Sequence, residues 1–268
     1  WHPIWNREDV AASRAALAAL APTPAARQAK AGMDVERGLL QCAEQLFGEG
    51  TRATRWAKHC AALGELSARH PYNVEVGSLH CLATLSTSGQ DRDARIYVRA
   101  AAIGEHFYRM APRHPGLLHY LIHSYDDPVH APLGLRMARV YDKVAPDAAH
   151  ALHMPSHIYL ALGMWPETVA ANIRSSAAAD ARIQRLGLPV GKRGWHSLLW
   201  LAYGQMQLGQ DGAAAAVLNQ AVQAFEEQPD NQRIRYHLCH MRALYVLDTG
   251  DWEHPAVPLD VPLDGVWG

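Results

Sequence analysis

The chain has 268 residues, of which 49% are hydrophobic, and a formal net charge of −1. That is enough chain to bury a sizeable core, and it offers no basic face for nucleic acid, so that partner class is set aside. Nothing in the sequence approaches the ~18–20 uninterrupted apolar residues of a membrane span, so the chain is read as not membrane-spanning.

Abundant alanine and only 3 Phe favour helix over sheet. The chain opens at Trp1-His2-Pro3-Ile4-Trp5, without a Met, so whether the native chain begins before Trp1 is left open. Two Trp flanking His-Pro make a poor solvated terminus, and each can bury roughly 200 Å². Residues 1–5 are therefore expected to pack back onto the helices, carrying His2 towards the other histidines. Helical periodicity with Gly, Pro and Asp punctuation predicts helices near 7–20, 25–47, 52–69, 73–87, 91–110, 115–125, 131–143, 149–162, 166–186, 194–208, 211–227 and 232–249. Short connections suit antiparallel hairpins. Residues 1–252 read as a single helical-repeat domain, and 253–268, rich in Pro, Asp and Val, as an extended C-terminal tail. Cys42, Cys60, Cys81 and Cys239 form no C-x-x-C pair and read as small thiols inside helices.

An internal repeat is visible. Ala111-Pro112 recurs at Ala145-Pro146, His119 at His153, His123 at His157 and Pro132 at Pro166, all at an offset of 34. That is the tetratricopeptide period. The prediction is an all-α, tetratricopeptide-repeat-like, right-handed stack of antiparallel helical hairpins. Gly163, Gly209 and Gly250 are expected as left-handed caps that end three of the first helices. Counting back from them, His150, His196 and His237 each lie 13 residues earlier, and His153 and His240 each lie 10 earlier. Histidine thus recurs at matched positions of first helices, which line the concave face in this architecture.

The stretches His114-Pro115-Gly116, His119-Tyr120-Leu121-Ile122-His123, Tyr125-Asp126-Asp127-Pro128-Val129-His130-Ala131-Pro132-Leu133-Gly134-Leu135 and His150-Ala151-Leu152-His153-Met154-Pro155-Ser156-His157-Ile158 resemble a family of bacterial tetratricopeptide-repeat proteins. Weaker matches are His2-Pro3-Ile4-Trp5 and Trp195-His196-Ser197-Leu198-Leu199-Trp200. The resemblance implies the repeat fold and leaves the activity unassigned. Members usually carry another hairpin before the His-Pro-x-Trp stretch, which implies that the first repeat is missing here. Many look exported, so the bacterial cell envelope or periplasm stands beside the cytoplasm as a location.

Eight of the 16 histidines fall between His106 and His157. His119/His123 and His153/His157 are i,i+4 pairs, which places two imidazoles on one helix face, about 6 Å apart at Cβ. Two such helices can offer four nitrogens to one ion, and His130 and His150 would allow two ions to be ligated. The metal candidates are therefore His119, His123, His153, His157, His150, His130 and His196. Neutral imidazole suits copper first, then zinc or iron. Asp126 and Asp127 are natural acceptors for ring N–H groups, with Tyr120 and Tyr125 beside them. His2, His237, His240 and Trp195 are candidates for the surrounding pocket.

HYLIH and HMPSH lack the Glu that zinc proteases use as general base, so a metal here favours redox or oxygen chemistry. Pro155 must start a helix, kink one or bulge one. No motif for a nucleotide or flavin cofactor is present. The expected function is a His-lined pocket that binds a transition metal, as a metal-dependent oxidative enzyme if an enzyme at all. A small-molecule substrate or a protein partner would go with it. The competing reading is a peptide- or protein-binding scaffold without catalysis.

Overall fold

The computed structural model describes residues 8–88 and 92–257, and every regular element among them is helical. The chain divides into two compact units, Trp1–Tyr125 and Asp126–Gly268. Trp1 to Trp5, His2 among them, lie outside the described residues, as do residues 258–268 of the tail.

The first unit contains α1 (Val10–Leu20), α2 (Pro24–Lys30), α3 (Asp34–Leu46), α4 (Arg52–Arg69), α5 (Val74–Ser86), α6 (Ala94–Tyr108) and α7 (Pro115–Ser124). Short polar side chains start most of them. Asp9, Thr23, Thr51, Asn73 and Asp93 each accept a hydrogen bond from a backbone N–H of the turn that follows. Such a cap is worth about 1 kcal/mol. From α3 to α7 each helix packs on its neighbours in the chain. Cys42, Leu63, Leu66 and Val76 form one buried cluster, and Cys81, Tyr97 and Ala100 another.

The predicted helix over 25–47 is two helices. The chain turns extended at Ala31 and Met33, and the Glu36 carboxylate reaches back to accept from the Gly32 and Met33 N–H groups at 2.9 and 3.0 Å. That reach starts α3 afresh and leaves α2 short.

The second unit contains α8 (Ala131–Val144), α9 (Ala149–His153), α10 (Pro155–Ala161), α11 (Trp165–Leu186), a 3₁₀ turn (Val190–Lys192), α12 (Trp195–Gln207), α13 (Asp211–Glu227) and α14 (Gln232–Thr249). Gly163, Gly209 and Gly250 have φ of 67°, 68° and 69°. They are left-handed caps as the sequence predicts, and a side chain there would be strained. Helices α12, α13 and α14 all pack on one another over the fully buried Trp195, Leu218, Ile234 and Leu238. Burying each such aliphatic side chain stabilises the fold by roughly 1.5–3 kcal/mol. Trp195 is thus a core residue, and its indole N–H donates to Val190 O at 3.2 Å.

The 3₁₀ turn sits tightly against the start of α14. A Cβ at Gly191 would meet Asn231 Nδ2 at 2.0 Å and Gln228 Oε1 at 2.7 Å. Beyond α14 the chain turns back. Ala256 and Val257 are buried in the same core, and Arg242 Nε donates to Ala256 O at 2.7 Å.

Pro155 resolves as a break. Helix α9 ends at His153 and α10 begins at Pro155. Met154 between them keeps helical dihedrals and is fully buried. Proline has no N–H to give the preceding turn. The next bond, His157 N–H to Met154 O at 3.2 Å, is of the tighter three-residue kind.

Candidate metal centre

Within the second unit three histidines converge. His153 closes α9, His157 stands in the first turn of α10 and His196 in the first turn of α12. Each can offer one ring nitrogen such that all three atoms lie within 4.8 Å of one another. Ring centroids are 4.9 Å apart for His153–His157, 4.8 Å for His153–His196 and 5.8 Å for His157–His196.

Hydrogen bonds fix the form of two of these rings. His153 Nδ1 lies 2.6 Å from Asn172 Oδ1 on α11. Asn172 Nδ2 donates to Thr168 O at 2.9 Å, which turns the amide oxygen towards the imidazole. His153 Nδ1 is therefore the donor. Ser156 Oγ stands 3.3 Å from the same nitrogen. His157 Nδ1 donates to Asp126 Oδ2 at 2.9 Å. A neutral imidazole with its proton on Nδ1 has a lone pair on Nε2. The two Nε2 atoms are 3.1 Å apart. Two facing lone pairs repel unless a cation lies between them.

On His153 and His196 a proton is disfavoured. Burial, and then the neighbouring His157 and His196, hold His153 well below the ordinary imidazole range. His196 is pushed down to about 3, first by burial and then by His157 and His237. The three rings could also hold a metal ion. Two nitrogens 3.1 Å apart could both reach one ion at about 2.0–2.1 Å.

The third imidazole is held differently. The Trp200 indole N–H, one turn along α12, donates to His196 Nε2 at 3.2 Å. Ligation through that nitrogen requires the indole to swing away. His237 on α14 follows His196 at a centroid distance of 6.1 Å. Its Nδ1 donates to Arg233 O at 2.7 Å, and burial pushes its pKa down to about 4.

The remaining candidates are placed as follows. His150 is exposed, with its ring 6.3 Å from that of His153. His130 Nδ1 donates to the Asp127 carboxylate at 2.9 Å, so Asp126 and Asp127 each hold a different histidine. His240 Nδ1 donates to Tyr236 O at 2.8 Å. In the first unit, the His119 and His123 rings share a face of α7 at 4.8 Å. There Tyr125 Oη donates to Glu105 Oε1 at 2.9 Å, and Tyr120 is half-buried against the α5–α6 core. Asn172 and Trp200 are the site residues to which the sequence reading gave no role. Asn172 reads there as one polar residue of a long amphipathic helix. The i,i+4 spacing of His196 and Trp200 was the available signal for the indole. Compared with family models and with curated proteins, the chain matches none.

Proposed function

We propose that the second unit belongs to a tetratricopeptide-like helical-repeat protein and binds one transition-metal ion through His153, His157 and His196. The observation that supports this most is the pair of Nε2 atoms 3.1 Å apart, with both Nδ1 protons committed to Asn172 and Asp126. An all-imidazole set suits copper first, then zinc or iron. Three protein ligands leave a position for water or a small substrate, the arrangement catalytic sites keep open. With copper or iron bound, such a site would support oxidative chemistry on a small molecule.

The test is metal content by mass spectrometry after loading the purified full chain with Cu(II), Zn(II) or Fe(II), alongside thermal melts with and without chelator. The wild type is expected to retain about one ion per chain and to melt higher when loaded. His153→Ala and His157→Ala are expected to lose both properties. A chain that retains no metal, and whose melting temperature no metal moves, overturns the reading and favours the peptide-binding scaffold.

A further inference from the structure

We propose that the first unit carries a separate binding site, for a small carboxylate with an apolar body, in the groove between α4, α5 and α6. The groove is open to solvent and offers about 460 Å³. That is within the ~300–1,000 Å³ range of small-molecule pockets. Its walls are mostly apolar, with Ala68 and Pro71 on one side and Ala102, Ile103 and Phe107 on the other, and Ser67 and His106 as further polar points. Arg99 is the one residue in the lining that is charged at every working pH, and no Asp or Glu lines the groove.

Arg99 is also uncommitted. Arg14, Arg27, Arg55 and Arg69 of the same unit all pair with carboxylates. Arg99 forms no ion pair or hydrogen bond among the described residues, and its side chain stands at the edge of an apolar concavity. A guanidinium presents a planar fork of donors that matches a carboxylate in a two-pronged pair. The groove therefore complements a ligand with one anionic end and an aliphatic or aromatic body.

His80 adds a polar point on the floor. Its ring is half-buried, and burial keeps it on the neutral side of its ordinary range. A neutral imidazole can donate to the second carboxylate oxygen without adding charge. The space above it is kept by Gly64, an unusual residue for the interior of the 18-residue helix α4. A Cβ at that position would come within 3.2 Å of His80 Nε2. Glycine weakens a helix, and here its lack of a side chain leaves the imidazole edge open to the groove. This site lies entirely within the first unit and does not depend on the metal reading.

The experiment is titration of the full chain with 4-phenylbutanoate, followed by ligand-observed NMR and calorimetry, with 4-phenylbutanamide as the uncharged control. The acid is expected to bind saturably and at least tenfold more tightly than the amide. Arg99→Gln is expected to weaken the acid at least tenfold and to leave the amide unchanged. Ala102→Trp, at an exposed wall position, is expected to block both. Arg113→Gln, at an exposed arginine outside the groove, is expected to change neither. Far-UV circular dichroism and melting temperature establish that each variant is folded. Absence of saturable binding, equal affinity for acid and amide, or an Arg99→Gln variant that binds the acid as the wild type does would each overturn the proposal.

Discussion

His153 and His157 point their Nε2 atoms at each other across 3.1 Å, each ring anchored through its other nitrogen. While both rings are neutral, with their protons on Nδ1, neither can donate to the other, and the two lone pairs could take a cation. His157→Gln keeps a polar side chain of similar reach but removes the ring nitrogen. It is expected to lower metal affinity by well over tenfold while leaving the metal-free melting temperature within a few degrees of wild type. Equilibrium dialysis with Cu(II) or Zn(II) reads the first quantity, and calorimetry the second.

The anchors themselves are testable. Asp126→Ala and Asn172→Ala leave all three imidazoles in place and free the Nδ1 side of one ring each. Loss of such an orienting partner typically costs 10–100-fold in metal affinity. Asn172 is fully buried. Its removal also strands the His153 N–H, at a stability cost of about 1–3 kcal/mol in the metal-free protein. The two variants are therefore expected to match in affinity and differ in melting temperature.

A metal taken up through His196 Nε2, as the proposal allows, would have to displace the Trp200 indole N–H. Trp200→Phe removes the competing donor and keeps most of the ring packing. It is expected to tighten metal binding several-fold. In the wild type, loading with zinc, which does not quench by redox chemistry, is expected to change tryptophan emission. In Trp200→Phe that change is expected to disappear.

Acid is expected to destabilise the metal-free fold. His196 and His237 titrate near 3 and 4 in the fold, against an ordinary imidazole value of 6.5. A depressed pKa means that the unfolded chain takes up protons first. The contribution of each group is therefore complete above about pH 6.5 and falls away as the pH drops towards 4. At pH 5 the loss is on the order of 2 kcal/mol per group. Denaturant melts at pH 7.5, 6 and 5 measure it. His237→Gln is expected to flatten the profile.

Pro155→Ala restores the missing N–H and allows α9 and α10 to run on as one helix. Metal affinity is expected to fall about tenfold if the break between the two helices, and not the i,i+4 spacing alone, positions the rings, while helix content by circular dichroism is unchanged or slightly higher.

Much of the helical layout was legible in the sequence, because Gly163, Gly209 and Gly250 stop helices by a conformation other residues resist. The equal spacing of His196 and His237 before those glycines anticipated their adjacency on α12 and α14. The i,i+4 spacing gave the His153–His157 pair, and the carboxylates at 126 and 127 were legible as acceptors. The break at Ala31–Met33 was not legible. No proline marks it, and the Glu36 side chain that makes it acts from inside the next helix. Trp195 was legible as important only by its company in a motif. Its burial follows from the packing of α12 on α13 and α14, which sequence spacing does not encode. Asn172 was hidden for a related reason. A single amide on a 22-residue helix looks like solvated surface until the helix that faces it is known.

Gly191 has no functional group in its side chain, yet it lies where the entry to α12 meets the cap of α14. The turn that contains it leads into α12, and the Asn231 amide it presses against has its oxygen turned to the Arg233 and Ile234 N–H groups at the start of α14. His196 and His237 hang from the two helices that meet at this contact. A side chain at position 191 would meet the ends of the Asn231 and Gln228 side chains, which would have to turn aside and disturb the Asn231 cap of α14. A position without polar chemistry of its own thus bears on how α14 begins, through the cap for which it leaves room.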